Sequence, residues 1–297
     1  MIDLQKAFDT VDHQILCQQL RYMGIKDVKW FQSYLTWRKQ LVNVNGTESE
    51  LLNITCGMPQ GSILGPLFFL CYVNDMSISI QSDCKLLLYA DDSTIIFSHK
   101  NPDVISKKLG KELESCSHWL VDNKLSLHLG KTECIIFGPK RKLKKVKEFQ
   151  IQCNDHVIYS QSKIKYLGID IDQNLSGEIT VNSIIKKVNS RLKFMYRKAS
   201  CLSTETRKTL TTALIQCHFD YSCSSWYAGV SQTLKNKLQI AQNKTVRFIK
   251  NLGPRSSVRQ PELSSVGFLN IENRVKQLTL GHAHRIYNNK CPTYLKK

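Results

Sequence analysis

The sequence predicts a mixed, α+β N-terminal part followed by an all-helical, basic C-terminal part. Three observations predict it. Up to about residue 172 the apolar positions switch between strand-like runs and helical periods, and from Ile179 onward the period is helical throughout. The charge is divided in nearly the same way: residues 1–130 carry 12 Lys and Arg against 14 Asp and Glu, whereas residues 131–297 carry 30 against 10. The expected division is therefore 1–172 and 173–297.

Composition narrows the class further. With 297 residues, 42% of them hydrophobic, and only 14 Gly and 7 Pro, the chain has enough apolar surface for a real core and is neither disordered nor fibrous. The longest uninterrupted apolar run, Pro66 to Val73, is far short of the roughly 20 residues of a membrane-spanning helix. Met1 to Lys6 shows no basic stretch leading into an apolar one, so neither a membrane span nor a secretory signal is expected, and the setting is read as intracellular, cytoplasmic or nuclear. Eleven cysteines, an odd number without a Cys-x-x-Cys pair, read as reduced thiols. Cys217, His218, Cys223, His282, His284 and Cys291 lack the paired spacing of a zinc site. The net charge of +18, all of it in the second part, points to a polyanionic partner, because each neutralised phosphate releases counterions.

Along the chain, Asp12 is a good N-cap for a helix carrying Val11, Ile15, Leu16, Leu20 and Met23, and Gly24 closes it. Asp27 opens a shorter helix through Leu35. Gln40 to Val44 and Leu51 to Cys56 read as the arms of a hairpin turning at Asn45-Gly46. An apolar helix is expected over Leu64 to Tyr72 and another helix over Pro102 to Val121. Strands are expected at Glu133 to Phe137, Phe149 to Cys153, Val157 to Tyr159 and Ile164 to Asp170, and Pro139 to Lys147 reads as an exposed basic loop between strands. Helices follow around Ile184 to Met195, Leu210 to Phe219 and Leu234 to Ile249.

The chemistry is carried by acids. Lys85 to Ala90 and Ser93 to Phe97 are strand-like runs joined only by Asp91-Asp92, which predicts a tight hairpin with two carboxylates at its tip. Because the flanking residues are apolar on both faces, the hairpin is expected to be buried, where adjacent carboxylates are costly unless a cation compensates them. Hard oxygen ligands of this kind suit Mg²⁺ near substrate phosphates. Asp3 is the candidate for the third carboxylate that a two-metal site requires.

Asp3-Leu4-Gln5-Lys6-Ala7-Phe8-Asp9, Gly57-Met58-Pro59-Gln60-Gly61-Ser62-Ile63-Leu64-Gly65-Pro66 and Tyr89-Ala90-Asp91-Asp92 closely resemble three successive palm motifs of reverse transcriptases, in the wording of the non-LTR, LINE-type retrotransposon branch. Lys124-Leu125-Ser126-Leu127 with Lys131-Thr132-Glu133 is similar to the fourth motif, and Lys165-Tyr166-Leu167-Gly168-Ile169 to the fifth. Ala241 to Ile249 and Cys291 to Leu295 resemble, more weakly, the region after the polymerase core.

The resemblance implies a right-hand polymerase palm over 1–172 and a helical thumb with a basic extension over 173–297. It implies that Asp3, Asp91 and Asp92 hold two Mg²⁺ ions, and that an RNA template, a DNA primer and deoxynucleotides are the partners. Phe8 would block a ribose 2′-hydroxyl, Gln60 and Gly61 would pack beside the incoming nucleotide, and Lys131 would neutralise or protonate the departing pyrophosphate. The sequence departs from the family at His128 and Gly130 in the fourth motif, which bears on the role of Lys131. Because the sequence opens two residues before Asp3, the strand carrying Asp3 is expected to lack its upstream half, and the fingers and an endonuclease-like region are expected to be missing. The expectation is a truncated element whose exposed palm surface favours self-association. The competing expectation is a non-catalytic, nucleic-acid-binding remnant.

Overall fold

The computed structural model describes residues 1–81, 83–146 and 148–292. They form two compact units, one made of Met1–Ile136 with Arg141–Gln161 and the other of Phe137–Lys140 with the chain from Ser162 on. Packing thus divides the chain at Gln161, while regular strands persist to Asp172.

In the first unit, α1 (His13–Tyr22) starts where the sequence places it, because the Asp12 side chain accepts from the amides of Gln14 and Ile15. It buries Leu16, Cys17 and Leu20, and the chain leaves it through Gly24 at φ +86. Helix α2 (Val28–Leu35) packs on α1 through Val28 and Leu35. Helix α3 (Leu64–Val73) is apolar all round, with Phe68, Phe69, Tyr72 and Val73 in the core and Leu67 and Leu70 exposed. Helix α4 (Pro102–Asp122) begins with Asn101 as cap and Pro102 in its first turn. It buries Leu113, Cys116 and Leu120 and packs on β7 (Gln150–Cys153), which pairs with β8 (His156–Tyr159).

The hairpin at Asn45-Gly46 is present, but as two short ladders. Strands β1 (Lys39–Gln40) and β4 (Leu52–Asn53) pair at its base, and β2 (Asn43–Val44) and β3 (Thr47–Glu48) at its tip. The return arm therefore begins at Thr47, as a two-residue turn requires, and all eight strand residues are exposed.

Strands β5 (Lys85–Tyr89) and β6 (Asp92–Ile96) form the expected tight hairpin, with Tyr89 opposite Asp92 and Ala90 and Asp91 in the turn. The expectation that it is buried is not met. Leu86, Leu88 and Ile95 pack on the core, but Leu87, Tyr89 and Ile96 are exposed, as are Asp91 and Asp92. An apolar residue on both faces of a strand signals covering on both sides only when a second layer is present.

Glu133 to Phe137 is not a strand. It makes a single parallel bridge, Cys134 to Ser160, and otherwise serves the chain start through the Glu133 amide, which donates to the Met1 carbonyl. The basic run contains one exposed helical turn, α5 (Lys140–Leu143), and its last residue, Lys147, lies outside the described residues.

In the second unit the strand expected over Ile164 to Asp170 folds back on itself. Strands β9 (Lys163–Tyr166) and β10 (Ile169–Asp172) pair around Leu167-Gly168, both at positive φ, and the Tyr221 hydroxyl donates to the Leu167 carbonyl. Helix α6 (Glu178–Tyr196) follows Gly177, whose φ of +68 and 2.7 Å approach of a would-be Cβ to Val230 leave room for no side chain. Its stripe of Val181, Ile184, Val188, Leu192 and Met195 faces α10 (Gln232–Lys250), and between them lie α7 (Thr204–Thr211), α8 (Cys217–Asp220) and α9 (Cys223–Trp226). Residues Thr212–Gln216 bulge into a π turn, so the helix expected over Leu210 to Phe219 is one interrupted helix. Short α11 (Gln260–Ser265) and long α12 (Ile271–Tyr287) complete the unit, and the motif-like ending Cys291 to Leu295 lies largely outside the described residues.

Two glycines test this packing in opposite directions. Gly110 on α4 lies so close to β7 that a Cβ would meet the Gln152 carbonyl oxygen at 2.5 Å, whereas Gly281 on α12 has open space around it. Gly110→Ala should destabilise the chain by about 2 kcal/mol or more, and Gly281→Ala should stabilise it by about 0.5–1 kcal/mol. Urea denaturation followed by circular dichroism distinguishes the two.

Candidate active site

The site is organised by the first five residues. The Ile2 amide donates to the Ser93 carbonyl at 2.8 Å, the His128 amide donates to the Asp3 carbonyl at 2.8 Å, and the Gln5 amide donates to the Ser126 carbonyl at 2.9 Å. This short strand therefore lies between β6 and the stretch 126–128, antiparallel to both. Antiparallel pairing of Ile2 with Ser93 makes Asp3 the neighbour of Asp92. Side-chain alternation then sends Ile2 and Leu4, both buried, into the core and leaves Asp3 on the opposite face. Asp92 and Tyr89 share that face with Asp3, and Asp91 sits at the adjoining turn.

Electrostatics agree with the geometry. Partial burial raises the Asp92 carboxyl above its ordinary value, and the charges of Asp91 and Asp3 push it further. Among the described residues no cation forms an ion pair with any of the three. Three hard carboxylates that repel one another are a donor set suited to a divalent cation, although their oxygens do not all lie within 4.8 Å of one another. The group that is so tightly gathered is Asp83, Cys84 and Glu112, elsewhere in the unit. Its two carboxylates share Lys108, at 2.8 Å from Asp83 and 3.1 Å from Glu112.

The other sequence-predicted residues are on, or tied by backbone and side-chain contacts to, the segment from Asp3 to Asp9. Phe8 is partly buried and stacks on Phe69 of α3, with centroids 4.4 Å apart. The loop with Gln60 and Gly61 is tied to the same segment: the Gly57 amide donates to Val11, the Met58 amide to Phe8, and the Gln60 side chain to Asp9. Gly57 has φ +86, and a Cβ there would meet the Asp9 carbonyl at 2.7 Å, so the close approach of the two motifs requires glycine. Lys131 is exposed in a turn whose amide bonds to His128. That turn is anchored beside Asp3 through the His128 amide, so the departure from the family at His128 leaves the backbone tether in place.

Sequence reasoning missed the junction below the site. The buried Tyr72 hydroxyl accepts from the Asp12 amide at 3.3 Å and donates to the Asn123 carbonyl at 2.6 Å, and Lys124 pairs with Asp12 at 2.6 Å. Burial pushes the Tyr72 phenol up to about 12. Burial also pulls the Asp12 carboxyl upward, but the Lys124 hydrogen bond and the Ile15 and Gln14 amides outweigh it and hold the group below its usual value. The one available signal was an unexplained tyrosine in an otherwise apolar helix.

An α+β domain that presents three acids on the exposed face of a small antiparallel patch is of the polymerase palm class. Comparison of sequences agrees: residues 1–171 match the family model for reverse transcriptase (RNA-dependent DNA polymerase). The chain belongs to the reverse transcriptase family. It is 24% identical over 257 residues to a probable RNA-directed DNA polymerase from transposon X-element of Drosophila melanogaster. It is 24% identical over 258 residues to the RNA-directed DNA polymerase from mobile element jockey of the same organism. In each case 84% of this chain is covered, and the chain spans 28% of the relative's length. A putative 115 kDa protein in the type-1 retrotransposable element R1DM is 22% identical over 234 residues, covering 78% of the chain and 22% of that protein.

The junction is testable. Tyr72→Phe removes the hydroxyl without creating a void and leaves the Asp12 amide and the Asn123 carbonyl short of a partner. It should lower stability by about 1–2 kcal/mol, read as a shift in thermal midpoint.

Proposed function

We propose that this chain carries the polymerase core of an RNA-directed DNA polymerase of a retrotransposon, and that Asp3, Asp91 and Asp92 are its metal-binding carboxylates. The observation that carries the reading is the placement of Asp3 beside Asp92, next to Asp91, on one face, with no cation among the described residues paired to any of them. The three carboxylates would hold two Mg²⁺ ions, whose bound charge would activate the attacking hydroxyl and neutralise the departing oxygen.

The reaction joins the primer 3′-oxygen to the α-phosphorus of a deoxynucleotide, and the bond to pyrophosphate breaks as the hydroxyl proton is lost. The protein's part is to position. Phe8, held by its stack on Phe69, presents a rigid edge against a ribose 2′-hydroxyl. Gln60, fixed by Asp9, and Gly61, which carries no side chain, form the floor beside the incoming base. Lys131 supplies positive charge or a proton to the departing pyrophosphate. The helical unit from Ser162 on acts as a thumb, and its basic surface follows an RNA template and DNA primer through their phosphates.

The second reading is a nucleic-acid-binding chain without catalysis. It is favoured by the concentration of the net positive charge after residue 130, which would bind a polyanion with or without catalysis. Primer extension on an RNA template with a DNA primer, deoxynucleotides and Mg²⁺ separates the two. The parent should extend the primer and Asp91→Ala/Asp92→Ala should lose at least about 10³-fold in rate, while template–primer affinity stays within about threefold. No extension by a folded parent that binds template–primer as tightly as the double variant would establish the second reading.

Metal binding has its own readout. Folding raises the Asp92 carboxyl, so the native state holds its proton more tightly than the unfolded chain, and stability falls as pH rises through the raised value. Without Mg²⁺, Asp92→Asn should therefore be more stable than the parent at pH 7, by less than about 1 kcal/mol because the group is solvent-exposed. The gain should vanish near about pH 3, where the parent's carboxyl is protonated in both states. Adding Mg²⁺ at pH 7 should raise the thermal midpoint of the parent more than that of the variant.

A further inference from the structure

The helical unit contains a polar cavity of about 310 Å³ that uses none of the residues proposed for catalysis. This volume lies at the lower end of the range for small-ligand sites and suits a group the size of one nucleotide. Its wall along α10 is a ladder of carboxamides. Gln232, Asn236, Gln239 and Asn243 recur at i, i+4, i+7 and i+11 and so share one helix face, while Leu234, Leu238 and Ala241 are buried in the core. Asparagine is a poor helix former, so helix stability alone gives no reason for the ladder.

The carboxamides are partly committed to one another. Gln232 Nε2 donates to Asn236 Oδ1 at 3.0 Å, and Gln239 Nε2 donates to Asn243 Oδ1 at 2.9 Å. Gln239 Oε1 accepts from the Ile271 amide and so fixes the ladder to the start of α12. The Nδ2 groups of Asn236 and Asn243 have no partner among the described residues. Two cations line the same cavity: Lys235, 4.8 Å above the Tyr227 ring, and Arg259 at the start of α11. Neither forms a salt bridge among the described residues; Glu272, which also lines the cavity, pairs with Lys276 at 2.8 Å and is held below its usual value by Lys276 first and by Lys235 as well, and Arg259 is among the groups that hold Glu262 low.

Two cations beside a row of donor–acceptor amides ask for a ligand with negative charge and a hydrogen-bonding edge a few ångströms apart. A nucleotide within a strand provides both, and its base edge is free only when the strand is single. We infer that this cavity is a docking site for one nucleotide of a single-stranded nucleic acid, with its phosphate on Arg259 and Lys235 and its base edge on Asn236 and Asn243. The inference goes beyond the polymerase reading and does not rest on it, since a chain without catalysis would keep the site.

The test is fluorescence anisotropy of the full chain with end-labelled 12-nucleotide single strands, RNA and DNA of the same sequence, together with an abasic version of the DNA, across a salt series. Asn236→Ala/Asn243→Ala improves helix propensity and should keep the fold, as circular dichroism will verify. It should weaken binding of the intact strands about tenfold and leave the abasic strand and the salt slope unchanged. Arg259→Gln should weaken intact and abasic strands alike and reduce the slope of log affinity against log salt by about 1. Tighter binding of RNA assigns the site to an RNA strand, and equal or tighter binding of DNA to strands that lack the 2′-hydroxyl; either agrees with the inference. The control is Lys237→Ala, an exposed cation on the same helix that does not line the cavity. If the amide variant binds the intact strands as the parent does, or if Arg259→Gln loses no more than Lys237→Ala, the site is overturned and binding is diffuse electrostatics. Neither result depends on primer extension.

Discussion

The strand at the chain start, Ile2 to Leu4, is the constraint on which the site depends. It is held because it is paired on both edges and its side chains Ile2 and Leu4 are buried. Buried backbone groups must be hydrogen-bonded somewhere, and the neighbours available are Ser93 on one side and Ser126 and His128 on the other. That choice fixes the register, and a one-residue slip would turn Asp3 into the core and Ile2 out to water. The position of one carboxylate beside another thus follows from where two isoleucine- and leucine-sized side chains are buried.

The same economy joins the motif segments. Phe8 stacks on Phe69, Gly57 lies against the Asp9 backbone, Gln60 reaches Asp9, and Tyr72 ties Asp12 to Asn123. Helix α3 takes part in two of these contacts, which accounts for the large aromatic residues on its inner side. Its outer side, with Leu67 and Leu70 exposed, has no such account within the described chain. An apolar helix face left in water is a surface for a further element or partner, and the exposed Leu87, Tyr89 and Ile96 on β5 and β6 are of the same kind.

Much of this was legible in the sequence, and the remainder fails for identifiable reasons. Local signals held for the Asp12 cap, the helical period of α4 and the Asn45-Gly46 turn, each of which depends on chemistry within a few residues, whereas the hairpin expected to turn at Asp91-Asp92 turns one residue earlier, at Ala90-Asp91, with Asp92 paired to Tyr89. The burial of β5 and β6 was misread because apolar residues on both faces say nothing about whether a second layer is present. Ile164 to Asp170 was read as one strand because its apolar run continues through Leu167-Gly168, although the left-handed pair there reverses the chain. The Lys124 pair with Asp12 spans 112 residues, and no local period reports such a contact. The approach of Asp3 to Asp92 was likewise visible only through the family resemblance, because sheet pairing between distant segments leaves no trace in either segment alone.

The charge distribution bears on how an acidic site persists in a chain of net charge +18. At physiological ionic strength an exposed charge is screened over about 8 Å, so the potential at Asp92 is set by its immediate neighbours and not by the total. Those neighbours are Asp91 and Asp3. The lysines of the same unit that approach acids are engaged elsewhere, Lys124 with Asp12 and Lys108 with Asp83 and Glu112. A lysine paired to Asp3 or Asp92 would satisfy that carboxylate permanently and compete with any divalent ion for it. On the proposed reading, keeping cations away from these three acids while concentrating them after residue 130 would separate two electrostatic tasks that would defeat each other in one place: gathering a cation and attracting a polyanion.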